Sequence, residues 1–202
     1  MGELEPYAIV GSEMKYHGKL LDLRVDAVRM SDGSVVEREV VTHPGAVAIV
    51  ALDEKGNVIL VNQFRAAVGA QLDELPAGLL DVEGESALEA AKRELAEEAQ
   101  VVAEEWDVLL DLHSSPGFST ETVRVFLARE LTATDDKFAG THEESTMTVS
   151  REPLPDAVRR VFTGSITNSS SVAGILAAVH GRATGWRDLR PADAPWPTRQ
   201  GR

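Results

Sequence analysis

The order of apolar and polar positions divides the chain into strand-like and helix-like stretches. Residues 7–14 and 20–30 mix apolar and polar positions in the manner of half-buried strands. The turn signal Ser31-Asp32-Gly33 follows, and residues 34–42 read as the hairpin partner. Residues 46–52 and 58–63 are apolar, β-rich runs on either side of the turn Asp53-Glu54-Lys55-Gly56-Asn57. Between residues 84 and 100 the period becomes helical. Leu88, Ala91, Leu95 and Ala99 form an apolar stripe, Ser86 stands at the cap, and Glu89 three positions on completes a capping-box pattern. Residues 106–112 and 122–128 predict further strands, and 155–162 and 170–180 two later helices. Pro191, Pro195 and Pro197 sit in a short polar tail and predict a loose carboxy terminus. Strands on both sides of one central helix, with helices added late, predict an α+β chain or an α/β/α sandwich. His43-Pro44-Gly45 marks a boundary. It separates a small amino-terminal sheet (1–43) from a main domain (44–188), which a flexible tail (189–202) follows.

Composition narrows the classes of function. The 202 residues are 43% hydrophobic and 26% charged, the balance of a globular protein with a core. No apolar run approaches the roughly 20 residues that cross a bilayer. The first ten residues lack the basic stretch and apolar run of a secretory signal. There is no cysteine, which excludes disulfides, a thiolate metal site and a thiol nucleophile, and fits a cytoplasmic protein. The net charge of −13 disfavours nucleic acid and anionic lipid as partners. A phosphorylated small molecule remains possible if bound cations and a few arginines reverse the field locally.

The chemistry concentrates in LPAGLLDVEGESALEAAKRELAEEAQV, residues 75–101. Ala77-Gly78 predicts a flexible loop whose carbonyls can turn inward. On the helix that follows, Glu94 and Glu98 share a face, with Glu97 beside them. Three carboxylates so close repel one another unless a cation sits among them, and hard oxygen donors suit Mg²⁺ or Mn²⁺. Arg93 adjoins the cluster, and its fork can hold a carboxylate in place. The alternative is a solvated acidic helix face.

The same stretch resembles the Nudix box: Gly78, Glu85, then Arg93-Glu94-Leu95-x-Glu97-Glu98-x-x-Val101. The resemblance implies an α/β/α sandwich in which Glu94 and Glu98, assisted by Glu97 and the Ala77 carbonyl, ligate roughly two or three Mg²⁺ or Mn²⁺ ions. It implies that Glu85 and Arg93 pair to orient the helix. Two departures stand out. The interval from Gly78 to Glu85 is one residue longer than the usual pattern, and Gln100 replaces a Gly that normally caps the helix.

Outside the box the chain resembles the ADP-ribose pyrophosphatase subgroup of that family over roughly residues 14–185. The resemblance rests on Glu74-Leu75-Pro76-Ala77-Gly78, on Ser115-Pro116-Gly117-Phe118-Ser119 followed by Glu121, and on Thr141-His142-Glu143-Glu144. It implies substrate contacts from Arg38, Arg65, Glu74, Ser115, Pro116, Gly117 and Glu121. It also implies a catalytic base at Glu144, with Glu143 as the alternative, and a homodimer that exchanges its amino-terminal sheet. The implied activity is hydrolysis of ADP-ribose to AMP and ribose 5-phosphate. Residues 66–73 carry no aromatic ring to clamp the adenine, which leaves another nucleoside diphosphate sugar open as substrate. A sensor that binds a nucleotide without cutting it is the rival class, and a structural protein with a fortuitous box is a third.

Overall fold

The computed structural model describes residues 7–134 and 146–197. The amino-terminal strands β1 (Ile9–His17), β2 (Asp22–Arg29) and β3 (Val35–Thr42) form their own antiparallel sheet in the order β1-β2-β3. Every residue of β1 is exposed, including Ile9, Met14 and Tyr16. This sheet joins the rest of the chain through β3, where Val41 exchanges main-chain hydrogen bonds with Phe118 and Thr120.

The main body holds two sheets. Strands β5 (Asn57–Arg65), β6 (Ala70–Glu74) and β10 (Thr148–Pro153) pair in the order β10-β5-β6. Strands β4 (Ala46–Ala51), β7 (Ala77–Leu79), β8 (Val101–His113), β9 (Thr122–Ala133) and β11 (Arg190–Pro191) pair in the order β11-β8-β9-β4-β7. The inner strand β4 runs parallel to β9 and is apolar on both faces, as a strand covered on both sides must be. Its period of two sorts the core. Ala48 and Val50 pack with Ile175 and Ala178 of helix α3 (Ser169–Thr184) and with Leu154 and Ala157 of α2 (Leu154–Phe162). Val47 and Ile49 pack on the other side with Ala91 and Leu95 of α1 (Ala87–Ala99). The result is helix, sheet, helix. No helix among the described residues is long and apolar enough to cross a membrane.

Helix α1 starts at Ser86, whose side chain accepts from the Glu89 N–H, and ends at Gln100 in the left-handed region at φ 55°. A left-handed residue other than glycine is strained. Gln100→Gly relieves this, less the extra chain entropy of glycine, for a net gain of about 0.5–1 kcal/mol. The check is a thermal melt, with an expected rise of about 1–4 °C. A lower melting temperature would show that the Gln100 side chain holds the cap.

Two expectations change, and one strand was not anticipated. Ala77-Gly78 is not a flexible loop but part of strand β7, paired with Val47 and Ala48. Strand β6 lies in a stretch whose composition announced no strand. The tail is not loose over 190–197. Arg124, almost fully buried, binds Asp111 at 2.8 and 3.1 Å and donates to the carbonyls of Ala194 and Pro195 at 2.7 and 3.1 Å. Its guanidinium lies 4.7 Å from the centre of the Trp196 ring. Proline ends regular structure, but its carbonyl still accepts, and a buried arginine has donors to satisfy.

Burial works against the charge on Asp111, yet hydrogen bonds from Arg124 and Arg190 outweigh it and hold its carboxyl below the usual 3.8. A depressed carboxylate adds stability above its unfolded value and loses it as the pH falls through the folded one. The difference in melting temperature between wild type and Asp111→Asn is therefore full above about pH 5 and closes below about pH 4. A gap that widens in acid would overturn this account.

Candidate active site

The site forms where the edge strand β7 meets α1. Ile49 N–H donates to Pro76 O at 2.8 Å, and Ala48 lies opposite Ala77 in the same ladder. Ala48 and Ala77 are thus a non-hydrogen-bonded pair, and both polar groups of Ala77 point away from β4. β7 ends its sheet, so they point toward the helix. The Ala77 N–H is taken by Glu98 Oε2 at 2.9 Å. The Ala77 carbonyl belongs to the same edge.

Gly78 explains how close the two elements come. A Cβ built there would lie 2.0 Å from Glu94 Cδ and 2.1 Å from Oε1. The Glu94 carboxyl fills the space that any other residue would occupy. Glu94, Glu97 and Glu98 all arise from successive turns of α1, as their spacing requires.

Arg93 ties this cluster together. Its Nε and Nη2 grip Glu85 at 2.9 and 3.0 Å, and its Nη1 reaches Glu94 at 2.7 Å and Glu97 at 3.2 Å. The bidentate bond from Arg93 holds the Glu85 carboxyl below its ordinary value, and Glu85 in turn raises the Arg93 guanidinium far above its own. The long interval before Glu85 is absorbed in an exposed turn, where Glu85 N–H returns to Val82 O and Gly84 adopts φ 79°. Among the described residues no three His, Asp or Glu side chains converge on one point as metal ligands do. The reason is visible in their partners. Glu94 and Glu97 lean on Arg93, while Glu98 leans on the Ala77 N–H.

Arg65 lies at the end of β5. Its Nε and Nη2 hold Glu74 at 3.1 and 2.7 Å, and Nη1 makes no hydrogen bond among the described residues. The hydrogen bond to Glu74 raises the Arg65 guanidinium; burial opposes this and the nearby Glu74 and Glu98 charges reinforce it. Glu74 itself is fully buried and faces the guanidinium rather than solvent.

Residues 115–119 form a turn in which Ser115 O accepts from Phe118 and Ser119 N–H; Pro116 and Gly117 lie at its tip. Glu121 follows, with its carboxylate 4.0 Å from His43 Nδ1. Arg38 stands on exposed β3, its Nη1 donating to its own neighbour Glu37 O. Glu143 and Glu144 lie outside the described residues. Sequence reasoning missed the role of Gly78 as the floor under Glu94, which only the contact reveals. It also missed that Phe64 and Phe118 are exposed rings, at 41% and 58%. A cavity of about 200 Å³ under Leu52 and Gly56 and one of about 640 Å³ beside Ser86 and Leu88 are lined by none of the box carboxylates.

The site is thus a carboxylate-bearing helix laid against the edge strand of a three-layer sandwich. Residues 42–161 match the family model of the NUDIX domain, and the chain belongs to the Nudix hydrolase family. It is 48% identical over 190 residues to an ADP-ribose pyrophosphatase of Mycobacterium tuberculosis, covering 94% of this chain and 91% of that one. It is 35% identical to an ADP-ribose pyrophosphatase of Bacillus subtilis, covering 82% and 89%. A crystal structure described as an ADP compounds hydrolase superposes with a TM-score of 0.77 at 20% identity, covering 92% of this chain and all of that one, which supports the fold.

Proposed function

We propose that the chain hydrolyses ADP-ribose to AMP and ribose 5-phosphate with Mg²⁺ or Mn²⁺ as cofactor. The observation that carries this reading is the β7–α1 edge, where the carboxylate oxygen donors of Glu98 and Glu94 lie against Ala77 and Gly78. Those donors suit a hard divalent ion. Gly78 adds no Cβ that would push Glu94 off the edge. In this reading Glu94, Glu97, Glu98 and the Ala77 carbonyl are the ligands. When bound, a divalent ion supplies Lewis-acid polarisation of the diphosphate and a water of lowered pKa.

The chain's own groups do the rest. Glu85 holds Arg93, and Arg93 keeps Glu94 and Glu97 beside the β7–α1 edge, within reach of an ion. Buried Glu74 is a brace rather than a substrate contact: it fixes Arg65 and leaves Nη1 for a phosphate oxygen. Ser115, Pro116, Gly117 and Glu121 receive the terminal ribose. Glu144, or Glu143 in its place, takes the proton of the attacking water. Residues 1–43 form a dimerisation region and 44–188 the hydrolase domain. The exposed apolar residues of β1 support a homodimer, and the exposed place of Arg38 fits an arginine that serves the second subunit's site.

The test is turnover of ADP-ribose, GDP-mannose, UDP-glucose, NADH and diadenosine polyphosphates with each metal, products resolved by chromatography. ADP-ribose leading by about tenfold and yielding AMP supports the reading. Another substrate in the lead overturns the specificity. Binding without cleavage under either metal makes the chain a sensor.

A further inference from the structure

The segment that presents Ala77 is held from behind by α3. Leu75 N–H donates to Ser171 Oγ at 2.9 Å, and both residues are buried. The Ser171 hydroxyl has a single proton, which goes to Asn168 Oδ1 at 3.0 Å and leaves a lone pair for Leu75. Asn168 is the N-cap of α3 and also accepts from Ser171 N–H at 3.0 Å and Ser170 Oγ at 2.8 Å. Near Ser171 on the helix, Gly174 brings α3 against the same segment. A Cβ there would lie 2.8 Å from Leu75 Cδ1 and 3.0 Å from Val50 Cγ2.

The segment is short and stiff. Pro76 fixes its own φ, and its carbonyl is bound by Ile49 N–H at 2.8 Å. The next residue is Ala77, whose N–H meets Glu98. The Leu75 N–H is thus held by α3 and the Ala77 N–H by α1, with one constrained residue between them. A shift of Leu75 toward or away from α3 has no flexible linker in which to dissipate before it reaches Ala77.

We propose that Ser171 is a positioning residue for the hydrolytic site, acting through Leu75 and Pro76 to set the direction in which Ala77 faces Glu98. The inference rests on the function proposed above, with Ala77 and Glu98 as metal-holding groups. Ser171 itself lies in the opposite helix layer from Glu98.

The test measures Mn²⁺ affinity by electron paramagnetic resonance, apart from turnover, on the full chain. Ser171→Ala leaves the Leu75 N–H without its acceptor and weakens Mn²⁺ binding about tenfold, as loss of an outer-shell partner does. Gly174→Ala, which pushes on the Leu75 side chain, weakens it in the same direction. Ala178→Gly destabilises the same helix at a buried position about two turns beyond Ser171 and keeps the affinity within about twofold of wild type. Equal loss in Ser171→Ala and Ala178→Gly would reduce Ser171 to a structural role and overturn the inference. So would a Ser171→Ala affinity within about twofold of wild type. Wild type that binds no Mn²⁺ would overturn the proposed function itself, and this inference with it.

Discussion

Glu98→Gln lowers turnover by about 10²–10³-fold, the range seen when one preorganised electrostatic group is removed from a site. The substitution keeps the shape of the side chain and an oxygen that can still accept from the Ala77 N–H, now 2.9 Å from Glu98 Oε2. What it removes is the charge. Glu98 is buried at 9% exposure near Glu94 and Glu97, and the one charge of Arg93, shared with Glu85, leaves an excess of negative charge around it. Taking one charge away costs the metal-free fold little. The melt without metal therefore stays near wild type, and the rise that Mn²⁺ gives the wild type is largely lost, because a ligand stabilises only as far as it binds. Turnover within about threefold of wild type would show that the Glu98 charge has no part in the reaction.

The second large effect comes from one methyl group. Gly78→Ala is expected to lower turnover about a hundredfold while changing stability by no more than about 1 kcal/mol. The added Cβ would meet Glu94 Cδ at 2.0 Å and Cγ at 2.3 Å, far inside contact distance. The obstacle is the far end of a side chain, so the fold has an inexpensive escape: Glu94 swings out toward solvent. Gly78 itself is not left-handed, and strand β7 tolerates alanine. Stability and activity should therefore separate. Because the substitution acts through Glu94, the double variant Gly78→Ala with Glu94→Gln should be little worse than the poorer single one. Additive losses would mean that Gly78 matters for some other reason.

Some of this was readable along the chain. The helix from Ser86 was legible from its cap and apolar stripe, since both are local. So was the proximity of Glu94, Glu97 and Glu98, which follows from helical spacing alone. The unbroken apolar run of β4 was legible as a strand, and the structure covers it on both faces. Strand β6 was not legible, because Gln71, Leu72 and Asp73 carry little intrinsic signal and the strand exists by pairing with β5. The extra residue before Glu85 was legible as an insertion, but its resting place in the turn at Gly84 was not.

The chain by itself determined the box helix, its carboxylates and the arginine beside them, while the order of strands and helices left an α+β chain and an α/β/α sandwich both open. These rest on periodicity and capping, which act over a few residues. Only the tertiary structure decided the remainder. It turned Ala77-Gly78 from a supposed loop into an edge strand whose polar groups face α1. It buried Glu74 under Arg65 and docked the tail through Arg124. It also set Ser171 behind Leu75, across 96 positions of sequence. Each of these is a contact between segments far apart in the chain, made because buried polar groups must find partners. Which partner they find depends on what the fold brings near, and no local pattern encodes that.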